Sequence, residues 1–130
     1  MNTNVVMITG QEMTVERLAS ICHDSAKVKI APKALAAVKA NRAVIERKVA
    51  AGVPIYGVTT GIGEFARISI TKEQSAELQK RIVYSHSAAV GKEIPQCDVR
   101  AAMALRLNTL CKGYSGVRPI VVETLAAMLN

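Results

Sequence analysis

Tyr56 opens the stretch Tyr56-Gly57-Val58-Thr59-Thr60-Gly61-Ile62-Gly63-Glu64-Phe65, in which three glycines fall within seven positions. Glycine reaches positive φ without a Cβ penalty and lets two backbones approach closely. The spacing predicts a tight, mobile loop with a tyrosine at its mouth, and loops held by a scaffold often carry chemistry. A phosphate cradle is the first chemistry to test. Gly61-Ile62-Gly63-Glu64-Phe65-Ala66 matches only part of the dinucleotide fingerprint, and the element before it reads as a helix rather than a strand. No Gly-Lys-Ser/Thr follows, so the P-loop fails too. Proton transfer by Tyr56 is the second. A free phenol, with a pKa of about 10, is a weak base at neutral pH. Backbone N–H groups aimed at the phenolate would help it. Taken bare, a loop tyrosine is more often a packed anchor than a catalyst.

His86 lies in Tyr84-Ser85-His86-Ser87-Ala88-Ala89, late in a helical pattern. A lone helical histidine commonly packs or caps, although small neighbours leave room beside it for a bound molecule. No metal site is expected. Cys22 and His23 are adjacent rather than at ligand spacing, and Cys97 and Cys111 stand alone.

These residues must be positioned by the elements around them. Val5 to Ile8 and the alternating Lys27-Val28-Lys29-Ile30 read as two short strands able to pair into a ribbon. Thr14 before Val15-Glu16-Arg17 predicts an N-cap and a short helix carrying Leu18, Ile21 and Cys22. Pro32 suits a helix start, and Gly52 with Pro54 stops that helix just before the glycine loop. Thr71 and Gln74 have capping-box spacing, predicting a helix from Lys72 to Ala89 that ends at Gly91. Asp98 is placed to cap a further helix, apolar on most faces and so expected to be buried. Pro119 starts a last helix, apolar almost all round, which calls for cover from an oligomer or a second polypeptide.

Composition agrees with a helical protein. Half of the 130 residues are hydrophobic, aromatics are 3% and tryptophan is absent, which suits close-packed helices better than a β-sandwich. The net charge of +7 comes from scattered lysines and arginines, with few rings for base stacking, which argues against nucleic acid. Three cysteines with no CxxC favour reduced thiols and a cytoplasmic protein. No signal peptide or membrane span is evident, so no membrane partner is expected.

At this point the motifs add what spacing does not. Tyr56-Gly57-Val58-Thr59-Thr60-Gly61-Ile62-Gly63 resembles the tyrosine loop YGV(N/T)TGFG of the histidine, phenylalanine and tyrosine ammonia-lyases and their aminomutase relatives. Glu77-Leu78-Gln79 with Ser85-His86-Ser87-Ala88-Ala89-Val90-Gly91 resembles that family's ELQ…SHSAGVG, and Arg100 to Asn130 its RxxMxLRxNxLxxGxSGxR…LN segment. The resemblance implies a mainly α chain: the N-terminal part of the helical aspartase/fumarase-like lyase fold, with a short β ribbon. It implies one N-terminal segment. Residues 1–54 hold the ribbon and first helices, 55–66 the tyrosine loop, and 67–130 the start of the helical core.

It also implies a reaction. Tyr56, with Gly61 in its supporting loop, would be the base for the β-proton of an amino acid, and elimination would release ammonia. The amine would be activated by a methylidene-imidazolone (MIO) group made from an Ala-Ser-Gly triad. Ser85-His86 falls on the substrate-selecting pair, where Ser-His points to histidine as substrate and urocanate as product. Thr59 stands where histidine lyases often carry asparagine, and a tyrosine or phenylalanine lyase or aminomutase is the alternative. No Ala-Ser-Gly occurs in the sequence, so MIO is implied by the family but not encoded here. The expectation is therefore a truncated product or small subunit, inactive alone. It would need a second polypeptide carrying the triad, a tetramer-like assembly, or both. The remaining alternative is a non-catalytic remnant that binds a lyase.

Overall fold

The computed structural model describes residues 4–130. They form two compact units, one of residues up to Val44 with Glu93–Asn130 and one of Ile45–Lys92.

The first unit begins with strand β1 (Val5–Ile8), helix α1 (Val15–Cys22) and strand β2 (Lys27–Ile30). The two strands pair in parallel, Val5 opposite Lys27 and Ile8 opposite Ile30. Parallel partners need a crossover connection, and α1 supplies it. The period of two is visible in burial: Val6, Ile8 and Val28 face the core while Val5, Met7, Lys27 and Lys29 are exposed. The expected ribbon is thus present, and parallel. Thr14 caps α1, its Oγ1 accepting from the Arg17 N–H at 3.3 Å.

Helix α2 (Pro32–Ala50) follows, and its residues to Val44 belong to this unit. The unit closes with α4 (Gln96–Leu110) and α5 (Pro119–Leu129), α4 packing on α1 and α5, and α5 on β2. Every buried hydrophobic side chain of the core is here, among them Ile8, Ile21, Val28, Val38, Leu107 and Val122. Gly10, at φ +81, turns the chain after β1 where an added Cβ would lie 2.6 Å from the Cys111 carbonyl oxygen. Its N–H donates to buried Asn108 Oδ1 at 3.0 Å. Asn130 closes the outer edge of β2: Val28 N–H donates to its Oδ1 at 2.8 Å and its amide donates to Val28 O at 3.0 Å. Two expectations are adjusted. Pro95, not Asp98, is the N-cap of α4, its carbonyl accepting from Asp98 N–H and Val99 N–H. One face of α4 is buried, while Val99 and Leu105 are exposed.

The second unit runs from Ile45 through the end of α2, the glycine loop, a 3-10 helix (Gly63–Arg67) and α3 (Lys72–His86). Thr71 and Gln74 make both bonds of the capping box that starts α3. The helix ends three residues before the predicted Ala89. Ser87 Oγ turns back to the Val83 carbonyl at 2.6 Å, and Val90 beyond it is fully exposed, with nothing to reward continued helix. Among the described residues no helix is long and apolar enough to cross a membrane.

Candidate active site

The glycine stretch folds as a knot of hydrogen bonds. Thr59 Oγ1 accepts from Ile55 N–H at 2.7 Å and donates to the Val53 carbonyl at 3.2 Å, which ties the loop's entry to its middle. Thr60, buried, accepts from Gly57 N–H at 3.2 Å and donates to Gly61 O at 2.9 Å. The far side is stitched by Gly61 N–H to Ile68 O and Ile70 N–H to Thr59 O, an antiparallel bridge between Thr60 and Ser69. A buried threonine whose hydroxyl both accepts and donates costs little to desolvate. Among the described residues of this unit no large apolar side chain is fully buried, and polar contacts hold the loop.

Gly61 is buried against the 3-10 helix. A Cβ there would meet Phe65 Cβ at 2.6 Å and Phe65 O at 2.8 Å, so only glycine lets the two backbones close. Tyr56 stands at the loop mouth, 65% exposed, and its phenolic oxygen accepts the N–H of Gly63 at 3.3 Å. Gly63 lies at φ +58, a conformation glycine takes without a Cβ penalty.

Ser85 and His86 occupy the last turn of α3, both exposed. His86 Nδ1 lies 2.9 Å from Ile82 O and 3.0 Å from Ser85 Oγ, and Ser85 Oγ donates to Ile82 O at 3.1 Å. A carbonyl only accepts, so Nδ1 carries the proton. In the neutral ring Nε2 is then the acceptor. The unit thus offers a phenol on a loop and an imidazole acceptor at a helix end. Among the described residues no hydrogen bond joins Tyr56 to Ser85 or His86. An apolar groove of about 380 Å³, lined by Gly61, Phe65, Ile68, Leu78 and the Glu77–Arg81 pair, includes neither Tyr56 nor His86.

Residues that spacing did not single out link loop and helix. Ser75 Oγ donates to Val58 O at 3.0 Å, and Gln79 Nε2 to Gly57 O at 3.2 Å. Their i, i+4 spacing, one helical turn, puts both on one face of α3 but does not say what that face meets.

A family model described as aromatic amino acid lyase matches residues 13–130, and the chain belongs to that family. A histidine ammonia-lyase from Treponema denticola is 38% identical over 130 residues, spanning 100% of this chain and 26% of that protein. A MIO-dependent tyrosine 2,3-aminomutase from Streptomyces globisporus is 41% identical over 125 residues, 96% of this chain and 23% of that protein. The crystal structure of the tyrosine aminomutase from Streptomyces globisporus matches with a TM-score of 0.90 at 41% identity, over 96% of this chain and 24% of that one. The helical lyase fold with its short β element is therefore the fold of this chain, which spans about a quarter of the length of the relatives it matches.

Proposed function

We propose that this chain supplies the base and the substrate-selecting helix end of an ammonia-lyase that converts L-histidine to urocanate and ammonia. Tyr56 takes the β-proton, the electrons of that C–H bond become the new C=C bond, and the amine leaves as ammonia. The observation that carries the reading is the loop itself: an exposed tyrosine whose oxygen is fixed by Gly63 N–H in a loop built around Gly61. His86, with Nε2 as its acceptor, takes the imidazole N–H of substrate histidine, its Nδ1–H held by Ile82 O with Ser85 Oγ beside it. The histidine ammonia-lyase relative supports this substrate.

The MIO group does not fit these residues. Its precursor is Ala-Ser-Gly, and the sequence has none. Ala19-Ser20 is followed by Ile21, fully buried in the core, and Ser115-Gly116 is preceded by Tyr114. We therefore assign the group that activates the amine to sequence outside residues 1–130, in the same or a second polypeptide of an oligomeric, cytoplasmic enzyme. The test is to produce this chain alone and together with a polypeptide carrying the triad, and to follow urocanate. Turnover is expected only in the second case, and Tyr56→Phe should lower it by about 10²- to 10⁴-fold. Urocanate from the isolated chain would sink the division of labour.

A second reading, a tyrosine aminomutase, is favoured by the 41% identity to the Streptomyces globisporus protein and by Thr59. It predicts that the complete assembly converts tyrosine to a β-amino acid faster than it releases ammonia from histidine.

A further inference from the structure

We infer that Ser75 and Gln79 are positioning residues that latch the tyrosine loop onto α3 and so set Tyr56, an inference that rests on Tyr56 acting as the base. The two side chains stand one turn apart on one face of α3 and reach the two carbonyls that directly follow Tyr56. Gln79 Nε2 donates to Gly57 O at 3.2 Å and Ser75 Oγ to Val58 O at 3.0 Å. Both acceptors are carbonyls, so the amide must present its nitrogen and the serine its hydroxyl proton. The capping box at Thr71 and Gln74 anchors the start of the same helix at 2.8 and 3.3 Å, and Ser75 follows at once. The helix that carries Ser85 and His86 at its end therefore also holds the segment after Tyr56 along its first turns. Base and selecting pair are referred to one rigid element, which pre-orientation of a proton-transfer group requires.

The latch is tested first without catalysis, by hydrogen exchange on the full 130-residue chain. Gln79→Ala and Ser75→Ala should each speed deuterium uptake across residues 55–66 by about two- to tenfold, leaving 93–130 unchanged. Gln79→Glu keeps the shape but offers no N–H, and should loosen the loop as alanine does. Wild-type uptake in the loop of Gln79→Glu overturns the latch. The second arm uses the complete assembly with histidine deuterated at the β-carbon. Gln79→Ala should lower kcat about tenfold with KM within about twofold, and raise the primary isotope effect, because proton removal becomes slower. A fall in kcat with an unchanged isotope effect marks a merely structural loss and overturns the positioning role. Faster loop exchange supports the latch whatever Tyr56 does. If Tyr56→Phe then leaves turnover intact, the base assignment falls instead.

Discussion

The N–H of Gly63 donates to the phenolic oxygen of Tyr56 across 3.3 Å and seven residues of loop. The bond exists because the chain between them folds tightly, and Gly61 is where it is tightest. In Gly61→Ala the new Cβ would press on Phe65 Cβ at 2.6 Å and Phe65 O at 2.8 Å. Phe65 cannot yield freely, since its N–H is bonded to Ile62 O and its carbonyl to Ile68 N–H. The loop must open and Tyr56 must shift. The complete assembly should then lose about 10²-fold in kcat, the cost of misplacing the proposed base by about 1 Å. Steady-state turnover beside an unchanged circular dichroism spectrum checks it.

Asn108 should matter to stability rather than turnover. Its Oδ1 takes the N–H of Gly10 at 3.0 Å in a buried site, joining the turn after β1 to α4. Asn108→Ala leaves that N–H without a partner, at a cost of about 1–3 kcal/mol. Urea denaturation should show the midpoint fall with an unchanged slope.

How far these sites were legible in the sequence depended on how local their causes are. The strands Val5–Ile8 and Lys27–Ile30, the caps Thr14 and Thr71 and the start at Pro119 are set by residues close in sequence, and the chain folds there as spacing predicts. The closing of β2's outer edge is not local, since Asn130, a hundred residues away, supplies both bonds to Val28. The end of α3 falls short of what the good helix propensity of Ala88 and Ala89 predicts, because Ser87 Oγ bonds back to the Val83 carbonyl. The tyrosine loop was visible as a glycine cluster, and the motif match is what the proposed role of Tyr56 starts from. That Gln79 reaches Gly57 is a tertiary fact that no periodicity carries.

Cys111 gives the fold a dependence on alkaline pH. It is 1% exposed, and burial pushes its thiol up to about 11. The unfolded thiol, at about 8.5, releases its proton first. Between those values the folded state binds more protons, so this residue's contribution is complete below the unfolded pKa and lost as pH rises through the folded one. The slope of stability against pH from about 9 to 11 should therefore be shallower in Cys111→Ala than in the parent, read as the difference between two urea series. Alkylation should likewise reach Cys97 before Cys111, which reacts on unfolding.

Arg100 should resist replacement by lysine. Its Nε donates to Ile21 O at 2.9 Å and an Nη1 to Leu129 O at 3.0 Å, so one guanidinium closes the last turns of α1 and α5. Both carbonyls lie at the negative end of a helix dipole. A lysine ammonium keeps the charge but not the planar fork that reaches both. Arg100→Lys should cost about 1.5–3 kcal/mol, seen as a lower Tm in calorimetry.

His86 is where the substrate assignment can fail. Its Nδ1–H is committed to Ile82 O, so the neutral ring presents Nε2 as an acceptor, which the proposed function pairs with a donor on the substrate ring. The imidazole N–H of histidine is such a donor, and phenylalanine has none. In His86→Leu the acceptor is gone while an apolar side chain remains. The complete assembly should then bind histidine at least about tenfold more weakly in KM, the cost of an unmade hydrogen bond, while accepting phenylalanine better than before. Competition between the two amino acids in a single reaction measures the ratio directly. If His86→Leu leaves the ratio unchanged, His86 does not select the substrate, and the assignment to histidine loses its support from this chain.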